Sequence, residues 1–208
     1  MRVGTVRYLN AKPLTSYIDP ARFELVEGHP SEIATMLAEG TVDVALVPVA
    51  AALTDGDFRV LGGVCIGADG PVHSVLLVAE TPPEAWTEVV LDGVSRTSVT
   101  LATLLLTQGP LAGRSTARIV HGGPGEGLER VGGTTAALVI GDAALDLPDT
   151  LTHRIDLAQV WTDWTGLPFV FAVWAGRPDA DRERLQELVD AGRRGLAARE
   201  QDYSGDDL

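Results

Sequence analysis

Short apolar blocks alternate along this chain with amphipathic stretches at helical spacing. Val3 to Leu9, with Val3, Val6, Tyr8 and Leu9 and no breaker after Gly4, reads as a first buried strand. Phe23 to Val26 is a second, and Val42 to Val49 is apolar almost throughout, as a strand covered on both faces should be. Val60 to Ile66, His73 to Ala79, Val89 to Asp92, Ile119-Val120, Ala136 to Ile140 and Leu167 to Ala175 continue the series. Between these blocks lie helices. Lys12-Pro13 opens one over Leu14 to Ile18, which Asp19-Pro20 breaks. Ser31 to Glu39 puts Ile33, Met36 and Leu37 on one face, with Ser31 able to cap its start and Gly40 its end. Ala50 to Leu53 starts another, and Val99 to Thr107 and Arg182 to Leu196 are the clearest of all.

Strand–helix alternation of this kind predicts an α/β protein with mixed, mostly parallel sheets and helices on both faces. It occurs twice, over residues 1 to about 80 and about 88 to 168, with the rigid Pro82-Pro83 step between. The 167–175 strand then returns to a helix that can pack on the first set. The pattern therefore predicts one lobe from residues 1–80 plus 172–208 and a second from 81–171, joined by two hinge crossings, with the ligand in the cleft between them.

With 208 residues, 45% of them hydrophobic, the chain can bury a full core. A net charge of −13 without a basic stripe argues against a nucleic-acid partner, although a few local donors can still hold an anionic ligand. The single cysteine, Cys65, excludes an internal disulfide and, between Val64 and Ile66, reads as a packed core thiol. No apolar run approaches the roughly 18 residues of a membrane span. The opening strand does not resemble a signal peptide, so the expected location is cytoplasmic, and the acidic tail is expected to be mobile.

Ligands of open α/β sheets bind outside the carboxyl ends of the strands. The pattern places four such ends together: Asn10, Pro48, Asp92 leading into Ser95–Ser98, and Gly141-Asp142. Ser95, Arg96, Thr97 and Ser98 offer hydroxyls, a guanidinium and backbone N–H groups at a helix start, a combination suited to a carboxylate or phosphate. The plainer account is helix capping by Ser95, Thr97 or Ser98. Asn10 bears an amide that orients or polarises rather than exchanging protons; alternatively it ties down the turn before Pro13. His73 and Ser74 open a crossing strand, where His73 either titrates near neutral pH beside a ligand or stands as an ordinary surface histidine. Asp142 either accepts a ligand hydroxyl or caps a helix.

Other motifs fail. His29, His73, His121 and His153 lack zinc-site spacing, and no metal or cofactor is expected. The loop from Gly122 to Gly127 has neither the lysine of a P-loop nor the spacing of GxGxxG, and no GxSxG elbow is present. Trp161, Trp164 and Trp174 read as packing residues rather than a sugar platform.

RYLNAKPL, DVALVPVAA, GPVHSVLLVAE, VVLDGVSRTSVTLATLLL, ALVIGDAAL and WTDWTGLPFVFAVWAGRP together resemble the chorismate dehydratase (MqnA) family of the futalosine route to menaquinone, in the family's own order and over most of residues 1–178. The resemblance implies the two-lobed fold of type II periplasmic binding proteins. Family members usually run longer at the C-terminus, which implies that final helices are missing here. The resemblance further implies that chorismate, a dicarboxylate, loses water to give 3-[(1-carboxyvinyl)oxy]benzoate. The hydroxyl leaves one ring carbon and a proton leaves the neighbour bearing the enolpyruvyl ether. By match to the family motif, Asn10 and Ser74 act on the reacting ring or its carboxylates. Pro48, His73, Ser95, Arg96, Thr97, Ser98, Gly141 and Asp142 line the site. These blocks contain no obvious general base, so a substrate carboxylate is expected to take the proton while Asn10 holds it in place.

Three alternatives accompany this reading. The sister enzyme, 1,4-dihydroxy-6-naphthoate synthase, shares the fold but has a cysteine- and aspartate-containing motif where this chain has Tyr8-Leu9-Asn10. A non-catalytic solute-binding protein for a small carboxylate fits the lobes but not the missing signal peptide. A ligand-sensing regulatory domain usually comes with a helix-turn-helix module, for which no room is left.

Overall fold

The computed structural model describes residues 1–93, 95–123 and 125–202. In chain order its elements are β1 (Arg2–Thr5), α1 (Lys12–Thr15), β2 (Glu24–Glu27), α2 (Pro30–Glu39), β3 (Val44–Pro48), α3 (Val49–Thr54), β4 (Arg59–Ala68) and β5 (Val75–Ala79). There follow β6 (Glu88–Asp92), α4 (Arg96–Thr107), β7 (Arg118–Gly122), α5 (Glu126–Arg130), β8 (Thr135–Ile140), α6 (Asp142–Leu145), β9 (His153–Asp156), α7 (Leu157–Thr165), β10 (Phe169–Gly176) and α8 (Arg182–Asp202). Val94 in the loop before α4, Pro124 in the glycine-rich loop and the acidic tail 203–208 lie outside the described residues.

The chain divides into two compact units, Met1–Ile66 with Val170–Leu208, and Gly67–Phe169. In the first, a five-stranded sheet runs in the order β2-β1-β3-β10-β4. β1 lies parallel to β2 and to β3, while β10 runs antiparallel to β3, with Ala172 opposite Pro48 and Gly176 opposite Val44. One face buries Val3, Leu46 and Trp174 against Leu14 of α1 and Leu185 and Leu188 of α8. The other buries Ala45, Val47 and Val173 against Ile33 and Leu37 of α2 and Ala51 of α3. This accounts for the unbroken apolar run of β3, whose residues are all buried. α2 ends as expected at Gly40, which takes φ +75°. Its start differs: His29 rather than Ser31 precedes the helix, and the Glu32 carboxylate accepts the His29 N–H at 2.9 Å.

In the second unit the sheet order is β7-β6-β8-β5-β9. β6 is parallel to β7 and β8, and β5 is antiparallel to both β8 and β9. Leu76, Val78, Val90, Ala137 and Val139 pack with Ala144, Leu147 and Leu151 into one core cluster. α4 packs against β6 and β8, and α7 against β5 and α4.

Two sequence expectations change. The first passage between units falls at Ile66/Gly67 and not after residue 80, because His73 to Ala79 contributes β5 to the second sheet. Pro82-Pro83 is therefore a turn inside the second unit, fastened by the Trp86 indole N–H donating to the Thr81 carbonyl at 2.8 Å. The return passage, at Phe169/Val170, lies within two residues of the expected boundary. Cys65 is exposed rather than packed. β4 stands at the edge of its sheet, and near Cys65 it buries only one face, through Val64.

Candidate functional site

In the first unit β1 ends at Thr5, earlier than the apolar pattern suggests, and the chain continues to a 3₁₀ turn at Leu9–Ala11 that carries Asn10. Ala11 and Leu14 are each 1% exposed and anchor the turn below, while Tyr8, Leu9 and Asn10 stay exposed. The Asn10 side chain makes no hydrogen bond among the described residues, so it does not tie down the turn. Lys12-Pro13 opens α1 directly after it, as the proline leads one to expect. Pro48 ends β3 beside the same carboxyl edge, but it is buried and serves to start α3.

Thr5 was not singled out by sequence reasoning, and it stands out in the structure. It is the last residue of β1, 2% exposed, and its hydroxyl has no hydrogen-bond partner among the described residues. Leaving such a group unpaired costs about 1–3 kcal/mol. A lone threonine at a strand end carries no sequence signal for this.

The second unit gathers more chemistry. Because β6, β7, β8 and β9 share one direction and β5 opposes it, the carboxyl ends of the four and the start of β5 lie along one sheet edge. That edge carries Ser95–Ser98 after β6, Gly141-Asp142 after β8 and His73-Ser74 before β5. Gly141 donates its N–H to the Ser74 carbonyl at 2.8 Å, joining two of the expected groups directly. The side chains of His73, Ser74 and Asp142 make no hydrogen bond among the described residues.

At the start of α4 the capping role is present. The Ser95 hydroxyl accepts the Ser98 N–H at 3.4 Å and donates to the Ser98 hydroxyl at 2.9 Å. Thr97 and Ser98 are buried, at 4% and 3% exposure, and are packed into the protein, whereas Arg96 is exposed. An exposed arginine thus stands at the positive end of a twelve-residue helix.

His73 takes φ +60°, making it the non-glycine residue with positive φ among those described. Such a conformation costs an L-residue about 1–2 kcal/mol. Its neighbour across the sheet holds it there. Asp156 Oδ2 accepts the N–H of Val72 at 2.9 Å and of His73 at 2.7 Å. Its Oδ1 accepts the N–H of Ala158 at 3.0 Å and of Gln159 at 3.1 Å, capping α7. Aspartate before Leu157-Ala158 is a readable cap signal; the bond to a turn 83 residues earlier is not.

Glu126 shapes the loop after β7. Its carboxylate accepts the Gly123 N–H at 2.8 Å and pairs with Arg130 at 2.9 Å. The Gly123 N–H, then the Arg130 guanidinium, hold its carboxyl below the ordinary glutamate range. Trp161 meets Trp164 and Phe169 edge-on, with ring centroids 6.1 and 5.3 Å apart; Trp174 is fully buried, whereas Trp164 is 43% exposed. Among the described residues no cluster of three His, Cys, Asp or Glu is arranged to hold a metal ion, and no helix is long and apolar enough to cross a membrane.

Two mixed α/β units, each with its loops gathered at the carboxyl edge of its sheet, define the two-lobed α/β class to which the periplasmic solute-binding proteins belong. Two solved structures similar to this chain show the same fold. Protein AF1704 from Archaeoglobus fulgidus matches with a TM-score of 0.71 and 18% identity, over 97% of this chain and 76% of that one. The alkanesulfonate-binding protein SsuA from Xanthomonas axonopodis pv. citri, solved with MOPS, matches at 0.62 and 15% identity, over 97% and 74%. The chain belongs to the family described as menaquinone biosynthesis, whose model matches residues 1–204. It is 31% identical over 214 aligned positions to the chorismate dehydratase of Thermus thermophilus, covering 93% of this chain and 77% of that protein.

Proposed function

We propose that this chain is a chorismate dehydratase, a carbon–oxygen lyase converting chorismate to 3-[(1-carboxyvinyl)oxy]benzoate and water. The observation that supports this most is the 31% identity to the Thermus thermophilus chorismate dehydratase along 93% of the chain. The chemistry at the sheet edges fits. A dicarboxylate needs a cationic or N–H-rich cradle, and the start of α4 with Arg96 offers one. Ser74 supplies a hydroxyl and Asn10 an exposed, neutral amide, neither with a side-chain hydrogen bond among the described residues.

Water leaves as a hydroxyl from one ring carbon and a proton from the adjacent carbon bearing the ether. The ring becomes aromatic, so the reaction runs downhill and the protein chiefly positions its substrate. In this reading a substrate carboxylate removes the proton and Asn10 holds that carboxylate in line. Orientation of this kind can supply about 7–11 kcal/mol of barrier reduction at most. The conversion is redox-neutral and calls for no cofactor. A lyase acting on a soluble metabolite fits a cytoplasmic location.

Purified protein mixed with chorismate, followed by ultraviolet absorbance and mass, tests the reading. Loss of one water to an aromatic product, abolished in Asn10→Ala, is the expected result. Saturable binding without product would instead favour a non-catalytic binding protein, the role that the name of the Xanthomonas axonopodis protein of similar fold describes.

A further inference from the structure

We infer that Asp156 is a positioning residue, which sets the backbone of the His73-Ser74 turn and thereby the placement of the Ser74 hydroxyl. The inference rests on the reading of Ser74 and His73 as substrate contacts. It goes beyond that reading by naming the group that makes their geometry.

The argument starts from register. β5 and β9 pair antiparallel with Leu76 opposite Asp156, so the last residue of β9 lies beside the entry to β5. From there one carboxylate serves two backbone segments. Oδ2 takes the N–H groups of Val72 and His73, and Oδ1 takes those of Ala158 and Gln159 in the first turn of α7. Bonds from N–H to an ionised carboxylate are shorter and about twice as strong as neutral ones, and the His73 bond, at 2.7 Å, is the shortest of the four.

That bond falls on the residue whose conformation most needs support. His73 sits at φ +60°, a region that side-chain-bearing residues avoid. On the opposite flank, Gly141 N–H holds the Ser74 carbonyl at 2.8 Å. Ser74 is thus fixed from β9 on one side and from the end of β8 on the other. Its hydroxyl and the His73 imidazole are left without partners among the described residues. A rigid backbone carrying unspent side-chain donors is what a pre-organised ligand contact requires. A cap for α7 alone would need only one of the two carboxylate oxygens.

Asp156→Asn tests this with almost no change of shape. The amide keeps one acceptor oxygen and turns an NH₂ group toward one pair of N–H donors, which it cannot accept; Asp156→Ala, which removes both acceptors, is measured alongside so that Val72 and His73 lose theirs whichever way the amide turns. In full-length protein, kcat/KM for chorismate per folded molecule should fall at least tenfold. Amide hydrogen exchange at Val72 and His73 should quicken at least tenfold, with circular dichroism unchanged. In a double-mutant cycle with Ser74→Ala, the combined loss should be clearly smaller than the product of the single losses, because both changes disable the same contact. A kcat/KM within twofold of wild type, exchange at Val72 and His73 unaltered, or losses that multiply in full would each overturn the assignment. Wild-type protein that turns over no chorismate would refute the dehydratase reading instead. The holding role of Asp156 would then be decided by the exchange alone, faster exchange upholding it and unchanged exchange overturning it.

Discussion

Gly195 of α8 lies so close to Pro13 of α1 that a Cβ at position 195 would fall inside the contact radius of the Pro13 carbonyl oxygen. At Gly192, one turn earlier, a Cβ would meet Val64 at 3.2 Å and Leu14 at an ordinary 3.6 Å. The two helices meet through bare backbone, and the 3₁₀ turn bearing Asn10 runs directly into one of them. Gly195→Ala forces the helices apart. It should cost about 1–3 kcal/mol, the usual penalty of overpacking, seen as a fall in the thermal midpoint of roughly 2–4 °C per kcal/mol. Gly62→Ala, where nothing among the described residues lies within 4 Å of the new methyl, is the matched control and should stay within about 0.5 kcal/mol of wild type. Equal effects in both variants would show that helix contact is not what matters at Gly195.

Thr5→Val removes a buried hydroxyl with no partner among the described residues while nearly conserving volume. Stability should be unchanged or rise, by up to about 1 kcal/mol, in denaturant unfolding. Chorismate turnover measured on the same variant separates two roles. A loss of at least tenfold would assign the hydroxyl to ligand, and full activity would leave it an unpaired core group.

Ser95 can be divided in the same manner. Ser95→Ala deletes the cap of α4 and should destabilise the second unit by about 1 kcal/mol. Ser95→Asp restores a capping oxygen and with it most of that stability. If the start of α4 receives a substrate carboxylate, the new charge should raise KM at least fivefold. A KM equal to wild type in the aspartate variant would remove α4 from the site.

Asn10→Asp adds a negative charge where a dianion is expected and should abolish turnover while leaving the thermal midpoint within about 1 °C, since the side chain is exposed. Full activity in this variant would rule out a neutral orienting amide.

The Glu126 carboxyl is depressed by the Gly123 N–H and by Arg130. A depressed carboxyl contributes stability that is fully present above its unfolded value, about pH 4.3. That contribution is lost as pH falls through the lower folded value. Glu126→Gln should therefore differ from wild type in thermal midpoint at pH 6, and the difference should shrink steadily below pH 4. A gap independent of pH would point to lost packing rather than charge.

The sequence pattern locates most strands because each buries a continuous apolar run; of the four strand ends it groups, those at Ser95 and Gly141 share one edge with the strand start at Ser74, while Asn10 and Pro48 belong to the other unit. It assigns β5 to the first unit, whereas the strand pairs within the second sheet. Val75 to Ala79 is buried throughout and would suit either core. It overlooked β9 and α7 because His153–Asp156 has no apolar alternation and the helix is brief. Asp156 escaped notice for a different reason: its importance lies in a bond to a distant turn, and periodicity carries only local information. Cys65 was misread because an apolar run looks the same in an edge strand as in an inner one.

The first unit is assembled from both ends of the chain, with β10 between β3 and β4. On the ribosome, therefore, that sheet waits for an inner strand made after the whole second unit. At about 5–20 residues per second the wait is on the order of ten seconds. Throughout it β3 and β4 each present an open hydrogen-bonding edge, the kind of surface that recruits stray strands. Residues 67–169, emerging without interruption, have every partner they need as they appear. The unit that carries Asn10 is the one most exposed to misassembly at birth.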